Sequence, residues 1–133
     1  QRLYVMNYLL DTHTFLWFLE GNENLSDDAR FAIENPNYIS FISIASIWEI
    51  AIKLNLGKLR LDIKLEELKS EILKNGFEIL PLDFEHIIGL SNLEAIHKDP
   101  FDRIIISQAI CEKCIIISRD SNFNLYKNVD LFW

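Results

Sequence analysis

Residues 99–120 read DPFDRIIISQAICEKCIIISRD, and this stretch decides the fold class. Proline suits the first position of a helix, so Asp99-Pro100 predicts a helix over residues 100 to about 113. The apolar run that follows predicts a strand over 114–118 that is buried on both faces of a sheet. A helix that leads into a fully apolar strand is typical of an α/β fold with a parallel sheet.

The rest of the chain repeats this alternation of short apolar runs and helical segments. Further strands are predicted over 3–10, 38–42, 77–82 and 129–132, and 59–63 is predicted to be an extended connection. Helices are predicted over 12–19, 26–35, 44–54, 65–74 and 83–90, with Ser26 as the N-cap of the second and either Ser43 or Ser46 as the cap of the third. No linker or internal repeat divides the sequence, so we expect a single domain over residues 1–133.

Composition limits the function classes. Half of the residues are hydrophobic and a quarter are charged, which excludes a disordered or low-complexity chain. There are 20 acidic and 13 basic residues, and the net charge of −7 argues against a protein that holds nucleic acid mainly through a basic surface. An enzyme whose acidic residues are masked by metal ions stays open. Two cysteines cannot form a disulfide framework and suit a reducing cytosol.

The sequence contains no signal for membrane insertion or export. No run of 18 apolar residues occurs, so no transmembrane helix is expected, and the first residues lack the apolar region of a signal peptide. We therefore expect a cytoplasmic protein with no membrane partner. Met6 is the only methionine, so residues 1–5 either follow an earlier start codon or were added before a native start at Met6. Both remain open.

Four aspartates are predicted to lie at the carboxyl edge of the sheet. Asp11 directly follows the first strand, and Asp120 lies just past the strand over 114–118. Asp99 and Asp102 flank the start of the helix that leads into that strand. Binding crevices of open parallel sheets lie outside the carboxyl ends of the strands, which is where these side chains should meet. Glu49 stands in the apolar helix over 44–54 and needs a partner if it is buried.

Such a group of carboxylates predicts a divalent metal site. Converging carboxylates repel one another, and without a cation some would take up protons. Mg²⁺ and Mn²⁺ prefer oxygen ligands, and they can activate water and stabilise the leaving oxygen of a phosphodiester. Each acid also has a purely structural interpretation. Asp11, Asp99 and Asp120 could cap helices or turns, Asp102 could be a first-turn acid, and Ser46-x-x-Glu49 matches a capping box.

Five stretches of the chain form a set of motifs: LLDTH at 9–13, SIASIWEIAIK at 43–53, LGKL at 56–59, DPFDRIIISQA at 99–109 and SRD at 118–120. Together they resemble the PIN-domain toxins of bacterial toxin–antitoxin pairs, the VapC family. They occur in the order of the family and extend the resemblance over nearly the whole chain. Leu80-Pro81-Leu82 and the final Leu131-Phe132-Trp133 also resemble the subgroup that has Trp-Glu-Ile and Asp-Pro-Phe-Asp motifs.

The resemblance implies an α/β/α sandwich with a central, mainly parallel sheet and a Mg²⁺- or Mn²⁺-dependent endoribonuclease. By this resemblance, Asp11 and Asp102 are the principal metal ligands, and Glu49 and Asp120 complete the metal shell and orient the attacking water. The same acids are the expected catalytic residues. Asp99, Thr12 and Ser118 are expected to support them. The family also implies an RNA substrate, a homodimer and a small antitoxin partner that presses a peptide, often with an arginine, into the acidic site.

Two other functions remain open from the sequence. A non-catalytic PIN-like module would bind RNA or a protein partner without turnover. An aspartate-dependent phosphatase would use Asp11 as its nucleophile, although such enzymes usually carry a second aspartate two residues on, and residue 13 here is His13.

Several other residues are interpreted as structural. Cys111 and Cys114 are expected to pack in the fold, because no second pair exists to complete a zinc site. His13 and His97 are expected to make ordinary polar contacts. Trp17 and Trp48 are expected to belong to the core rather than to a base-stacking surface.

Overall fold

The computed structural model describes residues 7–96 and 99–133. Strand β1 (Asn7–Leu10) is followed by α1 (Thr12–Glu20) and α2 (Asp27–Glu34), and β2 (Ile39–Ser43) by α3 (Ile44–Asn55) and α4 (Leu65–Lys74). Then come β3 (Glu78–Leu80), α5 (Phe84–Ser91), α6 (Pro100–Glu112), β4 (Ile115–Ile117), a 3₁₀ helix (Ser121–Leu125) and β5 (Leu131–Phe132). In these residues no helix is long and apolar enough to span a membrane.

The five strands form one parallel sheet in the order β3-β2-β1-β4-β5. The chain moves outward from β1 to β3, and then crosses through α5 and α6 to pair β4 with the other side of β1. The strand order therefore reverses at β1. This confirms the predicted α/β/α sandwich with a parallel sheet.

Alternate residues of the strands pack on opposite faces of the sheet. Leu10 and Ile117 belong to one buried cluster with side chains of α1, α2, α3 and α4. Their neighbours Leu9 and Ile116 belong to a second cluster with side chains of α6 and the 3₁₀ helix. Because both faces are covered by apolar side chains, the strands are hydrophobic throughout, as the sequence of 114–118 predicts.

Most element boundaries agree with the pattern of the sequence within one or two residues, and α4 has the predicted bounds. Strand β2 has the predicted length, shifted by one residue, whereas β3, β4 and β5 are shorter than predicted, because a strand ends where its ladder pairing ends rather than where apolar residues stop. The predicted start of the first strand and the Met6 alternative lie outside the described residues. The 3₁₀ helix was not predicted, because its sequence SNFNL has no helical periodicity.

The structure decides between the two candidate caps of α3. Ser43 caps the helix, since its Oγ accepts a hydrogen bond from the Ala45 backbone N–H. Ser46 lies inside the helix and forms no capping box with Glu49. The prediction that Trp48 belongs to the core is wrong, because 61% of Trp48 is exposed and its ring contacts Phe101 edge-on.

Candidate active site at the carboxyl edge of the sheet

The predicted acidic residues meet where the strand order reverses. Asp11 follows β1 and Asp120 lies past β4, the two neighbouring strands on either side of the reversal. The start of α6 brings Asp99 and Asp102 to the same edge, and α3 brings Glu49. All five acidic residues line one cleft of about 360 Å³, together with Thr12. The crevice is therefore where the topology of an open parallel sheet predicts it.

Asp11 is fixed by two separate hydrogen bonds. Its Oδ1 accepts from the Thr14 backbone N–H at 2.9 Å, which caps α1, and its Oδ2 accepts from the Ser118 hydroxyl. Burial raises the pKa of Asp11, and the hydrogen bonds from Ser118 and Thr14 and the nearby His13 lower it in part. The predicted capping role of Asp11 is thus confirmed, and it leaves the residue on the cleft, because the cap uses only one of the two oxygens.

Ser118 forms hydrogen bonds to both aspartates at the edge of the sheet, Asp11 and Asp120. While its hydroxyl donates to Asp11, its Oγ accepts the Asp120 backbone N–H at 3.0 Å. The Asp120 side chain in turn accepts from the Asn122 N–H and caps the 3₁₀ helix. Ser118 is buried and does not line the cleft, so its contribution to this site is to hold the two acids in place.

Asp99 and Asp102 occupy the first turn of α6. The Asp99 Oδ1 accepts hydrogen bonds from the backbone N–H groups of Phe101 and Asp102, as an N-cap does. Burial, and then the negative charges of the other four acids, together raise the pKa of Asp102 to about 7; in decreasing order of effect these acids are Asp99, Asp11, Glu49 and Asp120. The cleft therefore concentrates more negative charge than its own protein groups neutralise.

Glu49 has a hydrogen-bond partner on each of its carboxylate oxygens. Its Oε1 accepts from the Thr12 hydroxyl at 2.7 Å, and its Oε2 accepts from the Lys53 ammonium at 2.7 Å. The Thr12 Oγ lies 2.9 Å from the Ser46 Oγ. A carboxylate cannot donate, so the single Thr12 hydroxyl hydrogen goes to Glu49 and Ser46 donates to Thr12. The result is a directed chain from Ser46 through Thr12 to Glu49.

Three cationic or aromatic residues of the cleft were not among the predicted site residues, and one of them, Trp17, was expected in the core, against which it is only partly buried. Lys53, Arg119 and Trp17 line it, and the Arg119 guanidinium lies over the Trp17 ring at 5.2 Å from its centroid. The spacing of Glu49 and Lys53, four residues apart in one helix, was the available signal for their ion pair. His13 also lines the cleft and is exposed, whereas His97 lies outside the described residues.

The sequence matches the PIN domain family over residues 8–129. This chain belongs to the PIN domain family. No curated protein matches it.

Solved structures show the same PIN fold. VapBC2 from Rickettsia felis, bound to a DNA fragment from its promoter, has a TM-score of 0.70 and 19% identity, covering 96% of this chain and 99% of that chain. DNA-bound VapBC from Salmonella typhimurium has a TM-score of 0.69 and 16% identity, covering 96% and 98%. The PIN domain endonuclease Utp24 has a TM-score of 0.52 and 18% identity, covering 94% and 82%.

The donor set of the PIN cleft fits a hard divalent cation. Its candidate ligands are carboxylate oxygens, the donors that Mg²⁺ and Mn²⁺ prefer. Burial and the like charges of the other acids raise the pKa of Asp102, and a divalent cation would relieve the part that is due to like charge. The acids share one cleft without close contact of their oxygens: among the described residues, no three of them bring ligand oxygens within 4.8 Å of one another.

Within the described part of the chain, a different group does bring three ligand atoms within 4.8 Å of one another: Asp83, His86 and Glu112. Its geometry does not suit a metal. The Asp83 backbone N–H donates to His86 Nδ1 at 3.0 Å, so the hydrogen of the neutral ring is on Nε2 and is donated to Glu112 at 2.8 Å. Both nitrogens of this buried ring are engaged, and the group holds α5 against the end of α6.

The two cysteines make no site in the fold. Cys114 is buried in the cluster under α6, where burial raises its pKa to about 11. Cys111 is exposed, and its Sγ lies 3.8 Å from the Glu85 carbonyl oxygen of α5. Both are free thiols.

Proposed function

We propose that this PIN domain is a divalent-metal-dependent endoribonuclease and the toxin of a toxin–antitoxin pair. The observation that carries the proposal is the convergence of Asp11, Glu49, Asp102 and Asp120 on one cleft, with the pKa of Asp102 raised to about 7. A carboxylate cluster of this kind requires positive charge to become fully ionised near neutral pH. Mg²⁺ or Mn²⁺ is the proposed cofactor because all the donors are oxygens.

The four acids have different proposed roles at the metal. Asp11 and Asp102 are the proposed principal metal ligands. Glu49 and Asp120 complete the shell, directly or through water. Asp99, Thr12 and Ser118 are supporting residues: Asp99 caps α6, Thr12 donates to Glu49, and Ser118 donates to Asp11.

The proposed reaction is hydrolysis of an RNA phosphodiester, in which the oxygen of water attacks phosphorus and one P–O ester bond breaks. Bound Mg²⁺ or Mn²⁺ would supply the positive charge that activates the water and stabilises the leaving oxygen. The protein itself contributes the fixed acids, whose orientations are set by Thr14, Ser118, Thr12 and Lys53. Preorganised side chains of this kind need little rearrangement when charge develops during the reaction.

An antitoxin is the proposed protein partner. DNA-bound VapBC complexes and a toxin–antitoxin complex from Klebsiella pneumoniae are among the structurally similar proteins, which supports a partner of this kind. The net charge of −7 and the acidic cleft would attract a basic segment. An arginine of such a segment could pair with the carboxylates and block the site. The cytoplasm is the proposed location, with no membrane partner.

A homodimer is proposed through one apolar face. The helices α3 and α5 both pack on α6, and each carries exposed apolar residues at helical spacing. Exposed apolar surface of this kind is typical of protein interfaces rather than of solvated faces. We call it the α3/α5 face, and it consists of Ile44, Trp48, Ile52, Phe84, Ile87 and Ile88.

The nuclease proposal is tested by incubating the antitoxin-free chain with total cellular RNA in Mg²⁺ or Mn²⁺. Parallel samples contain EDTA, the Asp102→Asn variant, or the Asp62→Asn variant, whose exposed carboxyl lies outside the cleft. We expect discrete cuts from the native chain and Asp62→Asn, and none with EDTA or Asp102→Asn. Equal cleavage by purified Asp102→Asn would refute the assignment.

The same experiment separates the other two functions. Tight RNA binding without turnover in either metal would favour a non-catalytic binding module. Release of phosphate from a small phosphomonoester, with no RNA cleavage, would favour an aspartate-dependent phosphatase.

A further inference from the structure

Lys53 forms an ion pair with one acid of the cleft, Glu49. Its ammonium lies 2.7 Å from Glu49 Oε2, and both residues line the cleft. Glu49 is 7% exposed and Lys53 is 36% exposed, so the carboxylate is buried and the ammonium stands at the opening. A buried carboxylate needs a partner, and Lys53 is the partner supplied by the fold.

The two oxygens of Glu49 are both engaged before any metal binds. Thr12 donates to Oε1 and Lys53 to Oε2, each at 2.7 Å. Thr12 is itself fixed by Ser46, so Glu49 cannot turn toward the other acids without breaking two hydrogen bonds. Asp11 differs, because the partners of its oxygens are a backbone N–H and a hydroxyl, neither of which carries a charge.

We propose that Lys53 is a positioning residue that serves as a built-in monovalent counter-ion for Glu49, so that the cleft takes a single divalent ion near Asp11 and Asp102. This inference rests on the proposed metal-dependent nuclease. The ammonium lies 2.7 Å from Glu49 Oε2, so a divalent ion that took this oxygen as a ligand would have to displace it. Glu49 then contributes to the metal shell through water rather than as a direct ligand.

Charge balance in the cleft supports this role. One divalent ion and the Lys53 ammonium together offset three of the five negative charges, and Arg119 lies on the same cleft. A second divalent ion beside Lys53 would place like charges within a few ångströms in a partly buried site. Without Lys53, the buried Glu49 carboxylate would lack a charged partner and would become available to a second ion.

The test counts bound Mn²⁺ per chain by electron paramagnetic resonance of the free ion, with calorimetry as a check. We expect one Mn²⁺ in the cleft of the native chain and two in Lys53→Met. Lys53→Arg keeps the positive charge and should bind one. Lys74→Met, at the exposed end of α4, removes an equal charge away from the cleft and should also bind one.

A double variant controls for indirect effects of the substitution, and a folding measurement controls for misfolding. Lys53→Met/Glu49→Gln removes both charges of the pair, and its stoichiometry should return to one. Circular dichroism shows whether each variant is folded, and Lys53→Gln replaces Lys53→Met if that variant is not. Two ions on the native chain, or one ion on both native and folded Lys53→Met or Lys53→Gln, would overturn the inference.

RNA cleavage measured on the same samples separates this inference from the proposed function. If the native chain binds one Mn²⁺, Lys53→Met binds two, and neither cleaves RNA, the nuclease fails and the counter-ion role stands. If the native chain cleaves RNA and the stoichiometry does not change on substitution, the nuclease stands and the counter-ion role fails.

Discussion

Three acids of the cleft also cap a helix, and the capping hydrogen bonds hold their side chains in place. Asp11 caps α1, Asp99 caps α6 and Asp120 caps the 3₁₀ helix. The structural and the functional interpretation of these residues are therefore not alternatives. A cap fixes one oxygen of the carboxylate against backbone N–H groups and directs the side chain at the edge of the sheet, where the helices begin.

Asp102 should make the metal-free protein less stable as pH rises. The pKa of Asp102 in the folded chain is about 7, above the ordinary value of 3.8. Its favourable contribution to the free energy of unfolding is therefore complete below about pH 4 and is lost as pH rises through about 7. We expect Asp102→Asn to be more stable than the native chain by about 2 kcal/mol at about pH 8 without divalent ions. This is below the roughly 4 kcal/mol that three pKa units represent, because the carboxyl is only partly buried.

The measurement is urea unfolding at about pH 8 and at about pH 4, with EDTA present. The advantage of Asp102→Asn should shrink towards the lower pH. Asp62→Asn, on an exposed loop, should differ from the native chain by less than about 0.5 kcal/mol at either pH. An advantage of Asp102→Asn that is equal at both pH values would show that the charge of Asp102 is not its cause.

At the scale of elements, the contact between α5 and α6 is unusually close. A Cβ on Gly89 of α5 would lie 2.5 Å from the Ser107 Oγ of α6. Ser107 cannot simply rotate away, because its hydroxyl donates to the His86 carbonyl oxygen at 2.7 Å and the residue is buried. Glycine at position 89 is therefore required by packing rather than by a special backbone angle.

Gly89→Ala should destabilise the fold by about 1–3 kcal/mol, because either the two helices separate or Ser107 loses its hydrogen bond. Thermal unfolding of the single variant and of Gly89→Ala/Ser107→Ala checks this. The double variant, which removes the obstructing oxygen, should recover part of the loss. A single variant as stable as the native chain would contradict the packing argument.

Gln108 of α6 connects the ends of two strands. It is fully buried, its Oε1 accepts from Ser43 at the end of β2 at 2.6 Å, and its Nε2 donates to the Pro81 carbonyl oxygen after β3 at 3.2 Å. Through Ser43 it also supports the cap of α3, the helix that carries Glu49.

Gln108→Leu should lower the free energy of unfolding by about 1–3 kcal/mol, because it leaves the Ser43 hydroxyl and the Pro81 carbonyl without their partners. Urea unfolding of Gln108→Leu, Ser43→Ala and the double variant measures the coupling between the two residues. We expect the double variant to lose less than the sum of the single losses. Strictly additive losses would mean that the hydrogen bond contributes nothing.

Helix limits were largely predictable because their signals are local. Ser26 and Asp99 cap helices through N–H groups two or three residues away, and Pro100 begins α6 where the sequence predicts. The cap of α3 was ambiguous from sequence, since Ser43 and Ser46 both precede helical residues. It was decided by where β2 ends, which depends on pairing with β1 and β3.

For the whole molecule, the order of the strands creates the cleft. With β1 central and β4 on its other side, residues 11 and 120 come together although they are far apart in the chain. The same crossover sets α3 and α5 beside α6 and leaves the α3/α5 face uncovered.

Charges on the α3/α5 face should therefore prevent self-association. Phe84 is 76% exposed, and we expect Phe84→Glu/Ile88→Glu to be monomeric at concentrations where the native chain is a dimer, because burying four carboxylates across a symmetric interface is costly. Light scattering after size-exclusion chromatography measures the mass. Phe31→Glu, on the similarly exposed surface of α2, is the control and should remain dimeric. A native chain that is monomeric throughout, or dissociation by Phe31→Glu instead, would exclude this interface.

The sequence by itself determined the elements, the parallel sheet and the edge at which the acids lie. Apolar runs, caps and the positions of Asp11 and Asp120 after strands are local features, and every parallel strand ends at the same edge. Only the tertiary structure decided which side chains pair within that edge. The contacts of Ser118 with Asp11, of Thr12 with Glu49, and of Gln108 with Ser43 join residues that are 107, 37 and 65 positions apart. Such contacts depend on how each helix is rotated about its axis and on where each crossover connection returns to the sheet. The exposure of Trp48 depends on the same packing. The periodicity of a single segment does not encode this packing.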